Sequence, residues 1–375
     1  MKIGKTLPDL LKEVLRQQET KRDFVADTSQ VSMVAGSGQE FEQGALGLRF
    51  GDQSVGVTDV AHDQIGAHAK VPLAYYDRMR REAPELLANN VNTWFAKYPA
   101  PRMIRTLDNR ARAFVSDRFR TLDNADLCEA ALPPLLERGV EVLSCDVTER
   151  KLYLKVVDQR IKKDLPTGWS PTNKGHQRFD TVSPALVLSN SEVGMGSLDV
   201  RTSVFTGGCS NLMWVTERSI RKYHVGGRHE IGEEVYRMLS DTTKKLTDAA
   251  VWAQLADVVR AAFDRAQFDA TCEKLVEATE AKIDGDPIKV VEVTAKKFGF
   301  NDGERNSVLR HLIAGGDLTK YGLHAAVTRA AEDLDSYDRA SKFEELGGQI
   351  IELPKSEWQE IARAARVVEA ENIAA

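Results

Sequence analysis

Arginine is concentrated between residues 101 and 124 of this 375-residue chain, where six arginines occur without a single lysine. The same stretch contains the pentapeptide Arg-Thr-Leu-Asp-Asn twice, at residues 105–109 and 120–124. A guanidinium group is planar and permanently charged, and its N–H groups match the spacing of phosphate and carboxylate oxygens. The block therefore indicates either recognition of an anionic ligand or an internal set of ion pairs with aspartates of the same stretch.

Nucleic-acid binding is the first interpretation of this arginine block, because a groove lined by guanidinium groups can follow a phosphate backbone. The arginines predicted to contact phosphates are Arg105, Arg110, Arg112, Arg118 and Arg120. The alternative, in which these arginines pair with neighbouring aspartates across a hairpin, stays open.

A second basic cluster begins at Arg150 and Lys151. The basic residues predicted to extend the phosphate track are Lys155, Arg160, Lys162, Lys163, Lys174, Arg178, Arg201, Arg221, Lys222 and Arg228. Trp169 lies among them in a segment rich in Gly, Pro, Ser and Thr, and it is predicted to stack on a base. A tryptophan in such a segment can instead pack beneath its own loop.

Charge is distributed unevenly along the chain. Residues 101–228 contain 20 Lys and Arg against 15 Asp and Glu, whereas the remainder contains 31 against 41. The net charge of −5 would by itself argue against nucleic acid as a partner. The basic middle between acidic ends favours it.

The elements that must position these side chains are predicted from hydrophobic periodicity. Leucine and valine at helical spacing after Thr6 predict a short amphipathic helix at the start of the chain. Residues 57–82 predict two helices separated near Val71-Pro72, because proline suits a helix start and disfavours helix just before it.

The middle of the chain is predicted to be β-structure. Apolar and polar residues alternate over 152–157 and 198–205, which predicts strands with one face inward and the other polar. Residues 165–184 between them predict a long loop or an extended hairpin.

Helical spacing returns from about residue 230, and residues 346–365, LGGQIIELPKSEWQEIARAA, predict a short strand and a final helix. The predicted fold class is α+β, with a central mixed or antiparallel sheet and helices, followed by a largely helical C-terminal region. The predicted parts are an N-terminal mixed α/β region (1–100), a basic β-rich core (101–228), a helical arm (229–283) and a C-terminal helical region (284–375).

No motif for catalysis is recognisable, since the chain lacks G-x-G-x-x-G, G-x-S-x-G and H-E-x-x-H patterns. Glu192 stands alone in the glycine-containing run 188–200, which favours a structural turn over a phosphate cradle. His224 and His229 fit no tight metal motif, and the four cysteines, without C-x-x-C spacing, are predicted to be buried thiols. We predict no cofactor and no metal, favour a non-enzymatic function, and leave the enzyme question open.

Five stretches, in this order and spacing, carry a family resemblance: RAFVSDRFRTLDNADL, LVLSNSEVGMGSLDV, CSNLMW, RKYHVGGRHE and GLHAAVTRAAEDLDSYDRA. Together they resemble a family of phage- and plasmid-encoded proteins filed as a domain of unknown function, number 932, over roughly residues 20–350. The family's Cys-x-Asn-Gly element reads Cys209-Ser210-Asn211-Leu212 here. The resemblance implies an origin in a mobile element and no particular reaction.

Three functional hypotheses follow. The first is a phage-type protein of the host cytoplasm that binds single-stranded DNA, as a homo-oligomeric ring or filament, and assists annealing in recombination or replication. No apolar run approaches the roughly 18 residues of a membrane span, so no membrane partner is expected. The second is a protein-interaction or assembly module of a mobile element. The third is a hydrolase or nuclease whose acids, such as Asp108, Asp123 and Glu192, assemble from distant segments.

Overall fold

The computed structural model describes residues 1–36, 45–169, 177–207, 211–222 and 240–363. Within these ranges the chain forms two six-stranded sheets, helices that pack on them, and a helical C-terminal region. The predicted α+β fold class is therefore confirmed. In the same ranges, no helix combines the length and the apolarity needed to cross a bilayer.

Helices and strands are numbered here in chain order. The helices are α1 (Leu7–Thr20), α2 (Asp59–His68), α3 (Leu73–Glu82), α4 (Pro84–Lys97), α5 (Asn124–Arg138), α6 (Asp241–Ala261), α7 (Arg265–Glu280), α8 (Pro287–Phe298), α9 (Asp302–Gly315), α10 (Lys320–Ala330), α11 (Tyr337–Glu352) and α12 (Lys355–Arg363). The strands are β1 (Arg22–Asp27), β2 (Val31–Ala35), β3 (Leu46–Phe50), β4 (Gln53–Val57), β5 (Pro101–Leu107), β6 (Arg110–Ser116), β7 (Glu141–Val147), β8 (Leu152–Val157), β9 (Lys163–Trp169), β10 (Gln177–Asn190), β11 (Leu198–Thr206) and β12 (Asn211–Lys222).

The first sheet has the strand order β1-β5-β6-β4-β3-β2, and its β4 and β6 run parallel while the other neighbours are antiparallel. Helices α2, α3 and α4 cover one face, where Ile65, Tyr76 and Phe95 pack against strand residues such as Ile104. Burial of this apolar face holds the layer together.

The predicted helices at the N-terminal end are confirmed. Helix α1 starts after Thr6, whose hydroxyl accepts a hydrogen bond from the Asp9 amide, and proline occupies its first turn. The two helices predicted over 57–82 are α2 and α3, which are separated at Val71-Pro72.

The C-terminal end of α2 contains a lysine where glycine is usual. Lys70 has φ +55°, and the amides of Lys70 and Val71 donate to the carbonyls of Ala67 and Gly66 at 3.2 and 3.0 Å. This is the Schellman pattern, whose left-handed position favours glycine because a Cβ is crowded there. Lys70 therefore holds a strained backbone conformation.

The second sheet has the strand order β12-β11-β10-β8-β7, and β9 pairs with the first part of the long β10. Strands β9 and β10 are antiparallel, so the described ends of 165–184 form the extended hairpin rather than the long loop. Helices α1, α5 and α6 cover one face of this sheet. Cys128, Cys145 and Cys272 are buried free thiols, and Cys209 lies outside the described residues.

The other face of the second sheet is not the polar surface predicted from the alternation. All six residues of β8 are buried, because helix α11 packs across this face. Tyr337 of α11 bonds to the hydroxyl of Ser144 at 2.7 Å, and Lys155 of β8 donates to Glu344 at 2.8 Å. Helix α11 covers the polar residues of this face, and it supplies the hydrogen-bond and ion-pair partners that they need when buried.

The short strand predicted near the end of the chain is a correction as well, since residues 337–352 form the single helix α11. A Cβ on Gly347 would lie 2.3 Å from Cγ2 of Thr328, so glycine allows α10 and α11 to approach closely. Packing between the helices overrides the strand preference of Ile350 and Ile351. The first part of the helix predicted from residue 230 lies outside the described residues, and α6 begins at Asp241.

Residues 2–5 lie between the second sheet and the C-terminal helices. Nζ of Lys2 donates to the carbonyl of Leu334 at 2.7 Å, and its own carbonyl accepts from Ser144 at 3.0 Å. A Cβ on Gly4 would lie 2.2 Å from the carbonyl oxygen of Cys145, so the segment fits tightly against β7. The start of the chain is thereby joined to two distant regions.

A buried histidine makes the fold sensitive to acid. His324 lies in α10, with Nδ1 bonded to the carbonyl of Gly347 at 2.9 Å, and burial lowers its pKa to about 4. Histidine in an unfolded chain titrates near pH 6.5, so below that pH the unfolded state binds the additional proton. The stability that His324 contributes is present above about pH 6.5 and is lost as pH falls toward 4.

We expect His324→Asn, which can keep the bond to Gly347, to flatten the acid dependence of stability. In the parent protein, proton binding to His324 on unfolding accounts for at most about 3 kcal/mol of the difference in the free energy of unfolding between neutral pH and pH 4. Urea midpoints of the variant and the parent between pH 4 and 7 measure this slope. Equal slopes for the two proteins would show that His324 does not bind a proton on unfolding.

Candidate anion-binding cleft

Four of the predicted phosphate contacts are buried and paired with carboxylates. Side chains of Arg105, Arg112, Lys155 and Arg201 are between 0% and 9% exposed. Their partners are Asp23 and Asp123 for Arg105, Glu192 for Arg112, Glu344 for Lys155, and Asp199 and Glu345 for Arg201. The prediction that these four contact a phosphate backbone is wrong, because the protein's own acids occupy their charged ends.

The arginine block folds as the hairpin β5–β6. Its turn is Asp108-Asn109, and both residues have positive φ, 50° and 58°, which suits the twist of a two-residue hairpin loop. The second copy of the pentapeptide instead leads into α5. Arg105 of the first copy pairs with Asp123 of the second at 2.8 Å, so the internal ion pairs left open above are present.

Arg105 joins three elements in one network. It binds both oxygens of Asp23 on β1, at 2.8 and 3.0 Å, and donates to the carbonyl of Glu192 at 2.8 Å. Burial alone would lower the pKa of Arg105, but Asp23 and Asp123 outweigh it and raise this pKa above its ordinary value. The guanidinium is therefore a fixed structural charge.

The remaining predicted cations lie on several separate elements. Arg120 pairs with Asp248 at 2.5 Å, Arg160 with Asp158 at 2.8 Å, and Lys163 with Asp269 at 2.9 Å. Arg110 and Lys162 are exposed, with Arg110 donating to the carbonyl of Val57 at 3.2 Å. The side chains of Trp169, Arg178, Arg221 and Lys222 lie outside the described part of the structure, as do the whole residues Lys174, His224, Arg228 and His229.

The three acids proposed for a nuclease are each held by a cation. Asp108 pairs with Arg16 at 2.7 Å, Glu192 pairs with Arg112 at 2.7 Å, and Asp123 contacts both Arg105 and Lys21. The two cations outweigh burial and lower the pKa of Asp123. Within the ranges that the structure describes, no three His, Cys, Asp or Glu side chains lie close enough together to hold a metal ion.

A cleft of about 780 Å³ lies between the two sheets and gathers basic side chains from both. The first sheet and the turn that follows it contribute Arg102, Ser116 and Arg118, and the second contributes Lys151, Ser197 and Arg201. Of the residues predicted to bind phosphate, the cleft thus includes Arg118 and Arg201. Arg201 is already neutralised there by Asp199 and Glu345.

The glycine-containing loop between β10 and β11 forms one wall of this cleft. Gln64 of α2 fixes the loop, because its amide nitrogen donates to the Val193 carbonyl at 2.7 Å while its oxygen accepts from the Phe114 amide at 2.7 Å. Gly194 has φ +75°, and a Cβ on Gly196 would lie 2.5 Å from Cε of Lys151. Glycine in this loop therefore allows the lysine side chain to lie against the backbone.

Arg102 brings a positive charge into the cleft without a carboxylate partner among the described residues. Its Nη2 donates to Nδ1 of His68 at 2.8 Å, and its Nε is buried with no hydrogen-bond partner. Burial lowers the pKa of Arg102. Burial, together with the charge of Arg102, lowers the pKa of His68 to about 4, so the imidazole is neutral at pH 7 and accepts this bond.

Lys151 is the second such cation. No carboxylate in the described part of the chain forms an ion pair with its ammonium group, although Glu345, Asp338 and Asp199 act on it from a distance. Burial outweighs these acids and lowers the pKa of Lys151. Lys151 and Arg102 are thus both partly buried and form no ion pair among the described residues, and a bound anion would compensate their charges.

No protein-family model, curated protein or solved structure matches this chain. The resemblance to the phage and plasmid family therefore stays a prediction.

Sequence reasoning did not single out the most informative cleft residues. Arg102 belongs to the arginine block and Lys151 to the second cluster, but nothing in their neighbours along the chain distinguishes them from Arg105 or Lys155. The distinguishing property is that neither forms an ion pair with a carboxylate among the described residues, although acids act on both from a distance. The one available signal was the pair of glycines at 194 and 196, which indicated a close approach of another group to the backbone.

Proposed function

We propose that this chain binds single-stranded DNA in the cleft, with backbone phosphates on Arg102 and Lys151. The observation that carries the proposal is that these two half-buried cations line one cavity and have no carboxylate partner among the described residues. Phosphate is the anion that best suits both an arginine fork and a lysine point charge. Arg118 and Ser197 line the same cavity.

A single strand suits this cleft better than a duplex does. Both cations are recessed between the sheets, so a phosphate must enter the cleft to reach them, and one narrow strand can do so more readily than the convex surface of a double helix. The cavity of about 780 Å³ is also much larger than one phosphate group, which favours a ligand that continues beyond it. Annealing activity and ring or filament formation stay predictions.

The test removes both unpaired charges. We expect the double variant Arg102→Ala, Lys151→Ala to bind a fluorescein-labelled oligothymidylate at least tenfold more weakly than the parent does, at salt concentrations from about 50 to 200 mM. Each lost phosphate contact should also reduce the slope of log K against log salt by about 0.7, the value for single strands. Fluorescence anisotropy measures both quantities.

The matched control is Arg110→Ala combined with Lys162→Ala, which removes two exposed positive charges away from the cleft lining. We expect this control to retain nearly the parental affinity and slope. Equal losses of affinity in the two double variants would overturn the cleft as the binding site. They would indicate that exposed surface cations bind the strand instead. Absence of binding by the parent protein at low salt would overturn the proposed function itself.

A further inference from the structure

An aromatic groove of about 740 Å³ lies beside the cleft, between the end of α2 and the end of α4. The rings of Trp94 and Tyr98 are nearly parallel, with an interplanar angle of 8° and centroids 5.9 Å apart. Tyr75 and Tyr98 are 48% and 61% exposed, so flat aromatic faces are accessible to a ligand. Pro72 and Pro99 complete the rigid apolar lining.

The groove also contains an unsatisfied polar group. Oδ1 of Asn90 is buried and has no hydrogen-bond partner. A buried amide oxygen without a partner loses its hydration free energy and regains nothing within the protein. A ligand that donates an N–H group here would satisfy it.

Lys70 lines the same groove from the strained position at the end of α2. Glycine would relieve that backbone, and the exposed lysine forms no ion pair within the described residues that would explain its presence. Strained residues that persist in a fold often serve a ligand. Lys97 adds a second cation, with Nζ 5.5 Å from the ring centroid of Trp94 and 5.6 Å from that of Tyr98.

The groove and the cleft are continuous through one residue. His68 lines both cavities, and it is the residue that accepts the hydrogen bond from Arg102. Its pKa of about 4 keeps it uncharged at neutral pH. A ligand whose phosphates bind Arg102 can therefore extend past a neutral ring into the aromatic groove.

We propose that the groove binds an unpaired nucleobase of the strand whose phosphates occupy the cleft. The base stacks on the exposed faces of the tyrosines and Trp94, the Asn90 amide binds its polar edge, and Lys70 binds an adjacent phosphate. The inference rests on the proposed function and adds to it a second subsite. It also identifies the required ligand as a strand with exposed bases.

Several observations favour a base over an apolar peptide or a lipid tail. Parallel rings and prolines form flat walls, which fit a planar heterocycle and allow it to stack. Lys70 in the lining, and Lys97 beside the rings of Trp94 and Tyr98, suit a ligand that carries negative charge beside its apolar part. The buried Asn90 oxygen calls for a polar edge, which hydrocarbon lacks.

The first experiment compares two labelled strands of about 16 nucleotides, a length that spans such sites: oligothymidylate and an abasic strand with the same sugar-phosphate backbone. We expect the parent protein to bind oligothymidylate at least tenfold more tightly. Tyr75→Leu combined with Tyr98→Leu should remove most of that preference and leave the abasic affinity unchanged. Both side chains are about half exposed or more, so the variant keeps its core.

The outcomes separate the two proposals. If both strands bind the parent equally and depend on Arg102 and Lys151, the cleft is retained and the base subsite is overturned. If neither strand binds, the proposed function fails first. A tyrosine variant that keeps the full preference for oligothymidylate also overturns the subsite.

Lys70→Gly supplies an independent test, because folding and binding should change in opposite directions. We expect a melting temperature at least as high as that of the parent, since the strained φ is relieved, together with a threefold to tenfold weaker affinity for oligothymidylate. Unchanged affinity would remove Lys70 from the site. A matched Lys162→Gly variant controls for the loss of one exposed positive charge.

Discussion

Lys155→Met is expected to lower the free energy of unfolding by about 3 to 5 kcal/mol, because it removes the ammonium group that pairs with a buried carboxylate. Lys155 and Glu344 are both fully buried, and their charged groups lie 2.8 Å apart. The ammonium also lies 4.6 Å from the ring centroid of Tyr337. Burial lowers the pKa of Lys155, and Glu344 opposes that shift. Urea denaturation followed by circular dichroism measures the loss.

The double variant Lys155→Met, Glu344→Leu separates the cost of removing one partner of the pair from the stability that the pair itself contributes. Replacement of both partners by apolar residues of similar size is expected to restore most of the stability. A double variant as unstable as Lys155→Met would mean that the loss of packing by the lysine stem, rather than the loss of its charge beside Glu344, dominates. The pair connects β8 to α11, so cooperative loss of both regions is expected in the single variant.

Arg105→Met is expected to have an effect of similar size, about 3 to 5 kcal/mol, for a related reason. The fully buried guanidinium neutralises Asp23 and Asp123 and donates to the Glu192 carbonyl. Its removal deprives the carboxylates of Asp23 on β1 and Asp123 at the start of α5 of this shared cation, while Lys21 remains paired with Asp123. Thermal and urea unfolding at pH 7 measure the loss.

Arg110→Ala is the matched control for that prediction, since Arg110 is exposed on the neighbouring strand. We expect its stability to stay within about 0.5 kcal/mol of the parent. Arg105→Lys keeps the charge but loses the two-pronged geometry, so it should fall between the two. If Arg105→Met folds as stably as Arg110→Ala, the network around Asp23 and Asp123 contributes little.

Local chemistry was sufficient to predict the N-terminal helices and the strand pattern. Thr6 is a helix cap, and Pro72 disfavours helical backbone at Val71; neither effect depends on distant parts of the chain. Alternation over 152–157 likewise predicted β8. These features depend on residues that are close together along the chain.

The burial and the ion-pair partners of the charged residues depend on distant segments and could not be predicted from the sequence. Alternation at β8 could not show that its polar face is covered, since the helix that covers it supplies Glu344 from 189 positions away. Nor could spacing distinguish Arg105, which pairs with two aspartates, from Arg102, which forms no ion pair among the described residues although Asp117 acts on it from a distance. The candidate site is defined by these unmatched charges, and so it emerged only in three dimensions.

Residues 2–5 contact parts of the chain that are synthesised much later. Gly4 donates to Ser144, which lies 140 positions later, and Lys2 donates to Leu334, which lies 332 positions later. At translation rates of about 5 to 20 residues per second, this segment waits roughly 20 to 70 seconds for its last partner to be synthesised. Its contacts therefore form late and at high contact order, after residues up to Leu334 have been synthesised.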